Sequence, residues 1–366
     1  MSNTRDFFKK QAEHSRAKTE IVAEYFAAWM QILKGSCDVL SYLDLFSGPG
    51  KYVDGTPSTP IRVLDEIQKV PGFQSRIRLA FYENNAEFFA ELENNIHQHP
   101  VTNQLQFVPE LKCEEITHQS APNLPIDDCT FTFIDPWGYK EVTLDLLSAV
   151  VDNFGNDCLF YLSITGIHRN LKFPNQEQHL TRLFGSDGLR TLKEHGSGDP
   201  NEKHFHQVVI EELSRSLCNT GIAKRNYFVP FAVEADHRHQ VQHYLCFLTK
   251  HPTGFRKMKD VMAKHSHFDA DGFPLFHWTG DTQITIPFES KLKQTAEKLA
   301  EKYRGRRIQV GKLVDECHQN GYMCLSKNVK CALELLLESE RLEIIRDFGR
   351  RRRKGTFSDK LVVKFT

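Results

Sequence analysis

Three acidic residues in this 366-residue chain stand where an α/β protein handles a ligand. Asp44 sits near the end of the run Ser41–Leu45, which reads as a buried strand and is followed at once by Phe46-Ser47-Gly48-Pro49-Gly50. Glycines directly after a strand let the backbone turn sharply and bring N–H groups close to a ligand. The same glycines also make a tight turn with no ligand in it. Glu83 closes the run Ile77–Tyr82, a position from which a carboxylate accepts two hydrogen bonds from ribose hydroxyls, or simply meets solvent. It follows Asp44 by 39 residues, well beyond the roughly 20 of the NAD fingerprint, so NAD is disfavoured. Asp135 follows the β-prone run Thr130–Ile134 and opens Asp135-Pro136-Trp137-Gly138-Tyr139. A carboxylate there can accept from a planar amine, the Pro136 carbonyl can accept a second hydrogen bond, and Trp137 can stack on the ring. In the plainer alternative Asp135 caps the next helix and Trp137 fills the core.

The elements needed to position these groups are legible as a pattern. Residues 4–34 carry Ile21, Val22, Tyr25, Phe26, Trp29, Ile32 and Leu33 at helical spacing, which predicts a helix covering the edge of the first strand. After the loop Asp54–Pro60 comes a helix with Ile61, Val63, Leu64 and Ile67 turned inward. Strands are expected at Ile77–Tyr82, Leu105–Val108, Thr130–Ile134 and Cys158–Ile164, alternating with helices at Phe88–Ile96 and Val142–Val151. That alternation predicts a doubly wound, Rossmann-like parallel sheet, with an antiparallel pair at Tyr227–Val233 and Val241–Leu248. Ligands in such sheets sit at the carboxyl edge of the strands. Glu110, just past the expected third strand, would then face an adenine, and Arg169, past the fifth, a phosphate or carboxylate. A glycine turn of this kind serves S-adenosylmethionine (SAM) or another nucleotide, and Asp44, Phe46, Gly48, Gly50, Glu83 and Glu110 form the expected cofactor set.

Composition narrows the class. The chain is 40% apolar and 26% charged, with no apolar run of membrane-spanning length and no signal-peptide core at its start, so a cytoplasmic location is expected. The nine cysteines are scattered without a Cys-x-x-Cys pair, which fits a reducing compartment. Cys317, Cys324 and Cys331 read as small core residues, and no metal site is expected at the histidine pairs. Net charge is zero, yet residues 291–366 hold 19 Lys and Arg against 10 Asp and Glu. An acidic body with a basic tail points to a polyanionic partner. That tail predicts three helices (Lys291–Tyr303, Val310–Gln319, Ser326–Glu340) and a hairpin, the order of a winged helix-turn-helix. Arg350, Arg351, Arg352, Arg353 and Lys354 sit at its tip, suited to phosphate contacts, though winged helices also dock proteins. The expected organisation is a helical cover (1–40), a Rossmann-like domain (41–268), a linker (269–290) and the winged helix (291–366).

Taken together, the chain resembles the three-Cys-motif partner (TcmP) proteins, which look like class I SAM-dependent methyltransferases with an appended winged helix. The matching pieces are Lys18–Tyr25, Asp44–Gly50, Asp54-Gly55 with Pro60, Phe133–Tyr139, Arg169, and Tyr244–Lys259. The family usually has Gly-Ser-Pro at Ser58-Thr59-Pro60 and Phe at Trp137; amino-methyltransferases carry a second proline that is missing here. The resemblance implies SAM as cofactor and an iron–sulfur partner protein but names no substrate; methyl transfer to a base amine of nucleic acid, with Asp135, Pro136 and Trp137 at the acceptor, is the expectation the residues themselves carry. Two rival readings follow from the same residues. One is a non-catalytic scaffold for that partner, the other a methyltransferase of proteins or small molecules.

Overall fold

A computed structural model describes residue 8 and residues 11–196, 198–199, 203–222, 227–234, 241–268, 274–278, 291–319, 325–346 and 356–366. The chain divides into two compact units, Met1–Val261 with Trp278–Gly280, and Met262–His277 with Asp281–Thr366. The helical cover therefore belongs to the first unit, and part of the expected methyltransferase domain goes with the second.

In the first unit, five strands run parallel: β1 (Leu40–Asp44), β2 (Ile77–Tyr82), β3 (Glu110–Lys112), β4 (Thr130–Ile134) and β5 (Asp157–Ser163). Two longer strands, β6 (Tyr227–Glu234) and β7 (Val241–Thr249), pair antiparallel, and β7 also lies antiparallel to β5. Among the described residues the sheet order is β3-β2-β1-β4-β5-β7-β6, ending in β8 (His277–Trp278). Every residue of β1 and β4 is buried, as expected for strands covered on both faces.

The helices explain that burial. On one face, α1 (Glu13–Leu33) lays Tyr25 and Phe26 against Tyr42 of β1, Phe131 of β4 and Phe247 of β7. It therefore covers the middle of the sheet, not the edge of its first strand, because its aromatic stripe needs more apolar area than one edge provides. On the other face, Leu43, Ile134 and Phe160 join a core with Leu146, Leu147 and Val150 of α4 (Leu144–Val151). The same core takes in Leu183 of α6 (Glu177–His195) and Leu213 of α7 (Lys203–Asn219), with the short α5 (Ile164–Asn170) before them. Helices α2 (Thr59–Lys69), α3 (Ala86–His97) and α8 (Pro252–Lys264) complete the wrapping.

Two expectations change. The run Leu105–Val108 forms no strand; Val108 is exposed, and pairing begins only at Glu110, after Pro109, which has no N–H to give a ladder. Cys37 and Cys129, expected to be unpaired, form a disulfide across 92 residues. They lie just before β1 and β4, and those strands are neighbours: the Ser41 N–H donates to the Cys129 carbonyl.

The second unit has its own core. Helices α9 (Lys291–Tyr303), α10 (Val310–Gln319) and α11 (Ser326–Glu338) pack Leu299, Val314 and Leu333 onto Val363 and Phe365. A three-stranded antiparallel sheet, β10-β11-β9, combines β9 (Arg307–Gln309), β10 (Leu342–Arg346) and β11 (Val362–Phe365). The three-residue β9 was not legible as a strand. Cys317 is buried but Cys331 is exposed, while Cys324, His237, His239 and Arg350–Lys354 lie outside the described residues.

One buried bond fastens α1 to the sheet: the Tyr25 hydroxyl donates to Asp157 Oδ2 at 2.5 Å. Burial pushes the Asp157 carboxyl up to about 6 even with this bond and one from Thr249 holding it down. Tyr25→Phe is therefore expected to cost about 1–3 kcal/mol in chemical denaturation. An unshifted denaturation midpoint would show that the bond contributes nothing net.

Candidate functional site

The sheet register brings the acidic groups together. Asp44 pairs with Phe81 of β2 on one side and Phe133 of β4 on the other. Glu83 and Asp135 each lie two residues beyond those partners, so all three carboxylates fall on the same face at the carboxyl ends of adjacent strands. The chain leaves β1 outward to β2 and β3 and then returns to β4, so this point is also where the strand order reverses. Ligands in open α/β sheets bind at such a switch point.

A cleft of about 210 Å³ opens there, lined among others by Asp44, Phe46, Gly48, Glu83, Asp135 and Trp137. Asp44 is fully buried; Oδ1 accepts from the Phe46 N–H at 3.2 Å, and Oδ2 from the Tyr42 hydroxyl at 3.3 Å. Burial pushes its carboxyl up to about 7, and the Asp135 charge adds to this, while the Phe46 N–H, Tyr42 and Lys18 pull the other way. Glu83 is tied to the glycine turn, its Oε2 accepting from the Gly48 N–H at 2.9 Å and its Oε1 from the Asn85 N–H at 2.8 Å. Gly48 has φ +63°, the left-handed region open to glycine at little cost.

Asp135 forms an ion pair with Lys18, which comes from α1 and also lies over the Tyr161 ring at 5.3 Å. Trp137 stands at the mouth, 66% exposed, with Phe8 edge-on to it at 6.2 Å. Pro136 lines the same rim. The Tyr161 and His243 rings meet tilted at 4.5 Å in the same lining, and burial drives the Tyr161 hydroxyl well above its ordinary range.

Other expected residues do not meet the cleft. Glu110 starts β3 rather than following it, pairs with Ala80 within β2, and lines a separate hollow with Arg78 and Asp127. The acids that follow β3, and line the cleft, are Glu114 and Glu115. Gly50 faces inward, where a Cβ would meet Leu92 and Asn95. Arg169 sits in the last turn of α5, outside the lining.

Residues that sequence reasoning missed come from segments distant in sequence. Ser15, Lys18 and Thr19 reach the cleft from one face of α1, and Ser58 and Thr59 reach it from the start of α2. Phe8 packs on Tyr52 and Phe88 at 5.7 and 5.0 Å, and its carbonyl accepts from the Val53 N–H at 2.8 Å. No spacing signal marks Phe8, since its partners lie more than forty residues away.

No known family model matches the chain, and no curated protein matches it in sequence. Some solved structures are similar to it at low identity and low TM-score. One is a Legionella pneumophila protein described by the family model DUF519, at TM-score 0.39 and 10% identity, covering 67% of this chain and 91% of that one. Another is a putative SAM-dependent methyltransferase from Methanococcus maripaludis, at TM-score 0.30 and 12% identity, covering 68% and 97%. A third is a putative rRNA-methylase from Clostridium thermocellum, at 0.32 and 10%, covering 61% and 92%.

Two outcomes follow from the geometry. Because the folded chain holds the Asp44 proton up to about pH 7 while the unfolded chain releases it near 4, stability is expected to fall as pH rises through that window. Asp44→Asn should flatten that slope in denaturation series at pH 4.5 and 7.5; an unchanged slope would remove Asp44 as its source. At Gly48 an added Cβ would lie 3.1 Å from Phe8 Cζ and be strained by the positive φ. Gly48→Ala should cost about 1 kcal/mol or more, and pairing it with Phe8→Ala should recover the steric part. Strict additivity of the two would show that the contact does not exist.

Proposed function

We propose that the chain is a SAM-dependent methyltransferase acting on an amine nitrogen, with a nucleic-acid base as the acceptor that the rest of the chain favours. The observation that carries this reading is the row of Asp44, Glu83 and Asp135 along one cleft at the strand-order reversal, with the Gly48 turn beneath. The donor set fits the cofactor. Glu83 offers two carboxylate oxygens to ribose hydroxyls once it releases the Gly48 and Asn85 N–H groups. Asp44 offers a buried carboxylate to an ammonium, and a neighbouring cation would favour its ionised form. Phe88 and Ile116 supply apolar wall for a purine. When bound, SAM supplies an electrophilic methyl group.

The chain's own residues do the positioning. Asp135 holds an acceptor N–H by its carboxylate after Lys18 swings away, and the Pro136 carbonyl accepts a second hydrogen bond. Trp137, exposed at the rim, offers its ring for stacking. Holding the nitrogen lone pair in line is chiefly a matter of orientation. A base from a duplex would have to be flipped out to enter.

The nucleic-acid reading draws on residues 291–366. Their helix–strand–helix–helix–strand–strand order suits a winged helix, and their excess of nine positive charges suits phosphate contact. Membership of the three-Cys-motif partner proteins, with an iron–sulfur companion, is part of the same proposal. Asp135→Ala is expected to leave SAM affinity within a few-fold while abolishing label transfer from SAM to mixed cellular nucleic acid. Undiminished transfer by that variant would take Asp135 out of the mechanism.

A further inference from the structure

Ser58 occupies the N-cap position of α2, where serine is among the favoured residues because its hydroxyl accepts a hydrogen bond from the first turn. It does not do so here. Its backbone is fully engaged: the N–H donates to the Gly50 carbonyl at 2.9 Å and the carbonyl accepts from the Arg62 N–H at 3.0 Å. The hydroxyl, in contrast, is buried without a partner in a residue only 7% exposed that lines the cleft. Leaving a buried polar group unmade is costly, so such a group calls for an explanation.

Its surroundings supply one. The 11-residue α2 starts at the cleft wall, and a helix start carries unsatisfied N–H groups and a partial positive charge. Thr59 beside it lines the same wall, and Ser15, Lys18 and Thr19 approach from α1. Lys18 is the one Lys or Arg among the described lining residues. Its charge acts on Tyr52 and Asp44 as well as on Asp135, with which it is paired. Hydroxyls, a helix start and a lysine together make a receptor for an anion. Beside them, Asp44 is a receptor for a cation.

We infer that Ser58, Thr59 and Lys18 form the carboxylate half of a site for a zwitterionic α-amino-acid end, with Asp44 taking its ammonium. On the SAM reading above, on which this rests, the occupant is the amino-acid end of the cofactor. Arg169, expected to hold either a phosphate or a carboxylate, lies outside the cleft lining, which leaves the carboxylate role to these residues. Lys18 drawn toward the incoming carboxylate releases Asp135, so the amino-acid end would also uncover the acceptor site.

Calorimetric titration tests this with two ligands, S-adenosylhomocysteine, which carries the amino-acid end, and 5′-methylthioadenosine, which lacks it. The full-length wild type should bind the first at least about tenfold more tightly, the size of one charge-assisted hydrogen bond. Ser58→Ala and Lys18→Met should each shrink that ratio several-fold and leave methylthioadenosine affinity within about twofold. Ser58→Ala should also not lower the melting temperature of the ligand-free protein, because the hydroxyl it removes bonds to nothing there. The subsite is refuted if both ligands bind but the ratio is unmoved in either variant, or if both affinities fall equally. Failure of both ligands to bind the wild type would instead bring down the cofactor assignment, and the subsite with it.

Discussion

A carboxylate with no exposure to water at the end of a central strand has to be held by its neighbours, and the treatment of Asp44 governs the design of the cleft. Two donors, the Phe46 N–H and the Tyr42 hydroxyl, face it, and both come from the strand and turn that carry it. They do not offset its desolvation, which is why its proton is held up to about pH 7. A second carboxylate, Asp135, sits close enough to push the proton affinity of Asp44 higher still. The one ammonium lining the cleft among the described residues, Lys18, is taken up by Asp135. The corner is therefore short of positive charge, and a cationic ligand would supply it.

That imbalance makes α1 a functional element as well as a cover. Its apolar stripe holds it on the sheet through Tyr25, Phe26 and Trp29, and the turn of helix just before that stripe puts Ser15, Lys18 and Thr19 into the cleft. The Tyr25–Asp157 bond and the aromatic packing on Phe131 set the axial position of the helix. The reach of Lys18 to Asp135 thus depends on a bond one to two turns away. Packing and chemistry are mechanically joined along a single helix.

The tongue between Gly50 and Ser58 plays a comparable part. Lys51 bridges to Pro57 and Tyr52 donates to the Thr56 carbonyl, so the chain doubles back on itself. The start of α2 is thereby returned to the glycine turn that precedes it. A loop turned by Asp54, Gly55 and Pro57 works here as a spacer of fixed length. It puts hydroxyls opposite the carboxylates of the sheet edge, giving the cleft one wall suited to each sign of charge.

How much of this was legible in the sequence divides along a physical line. Period-two and helical patterning over Leu40–Asp44, Ile77–Tyr82, Thr130–Ile134 and the C-terminal helices reports burial, which is local in origin, so those elements and the acidic strand ends could be read directly. The apolar run Leu105–Val108 reads as a strand that ends there, which points to Glu110 in place of Glu114 and Glu115, although Pro109 delays the pairing to Glu110 itself. Pairings that span the chain left no such trace. The row formed by Asp44, Glu83 and Asp135 depends on register between strands, Lys18 on the seating of α1, and the Cys37–Cys129 link on β1 and β4 being neighbours. Each of these is decided by how the sheet and its covering helix pack, because the energy that selects them comes from surfaces that meet only once the chain has folded.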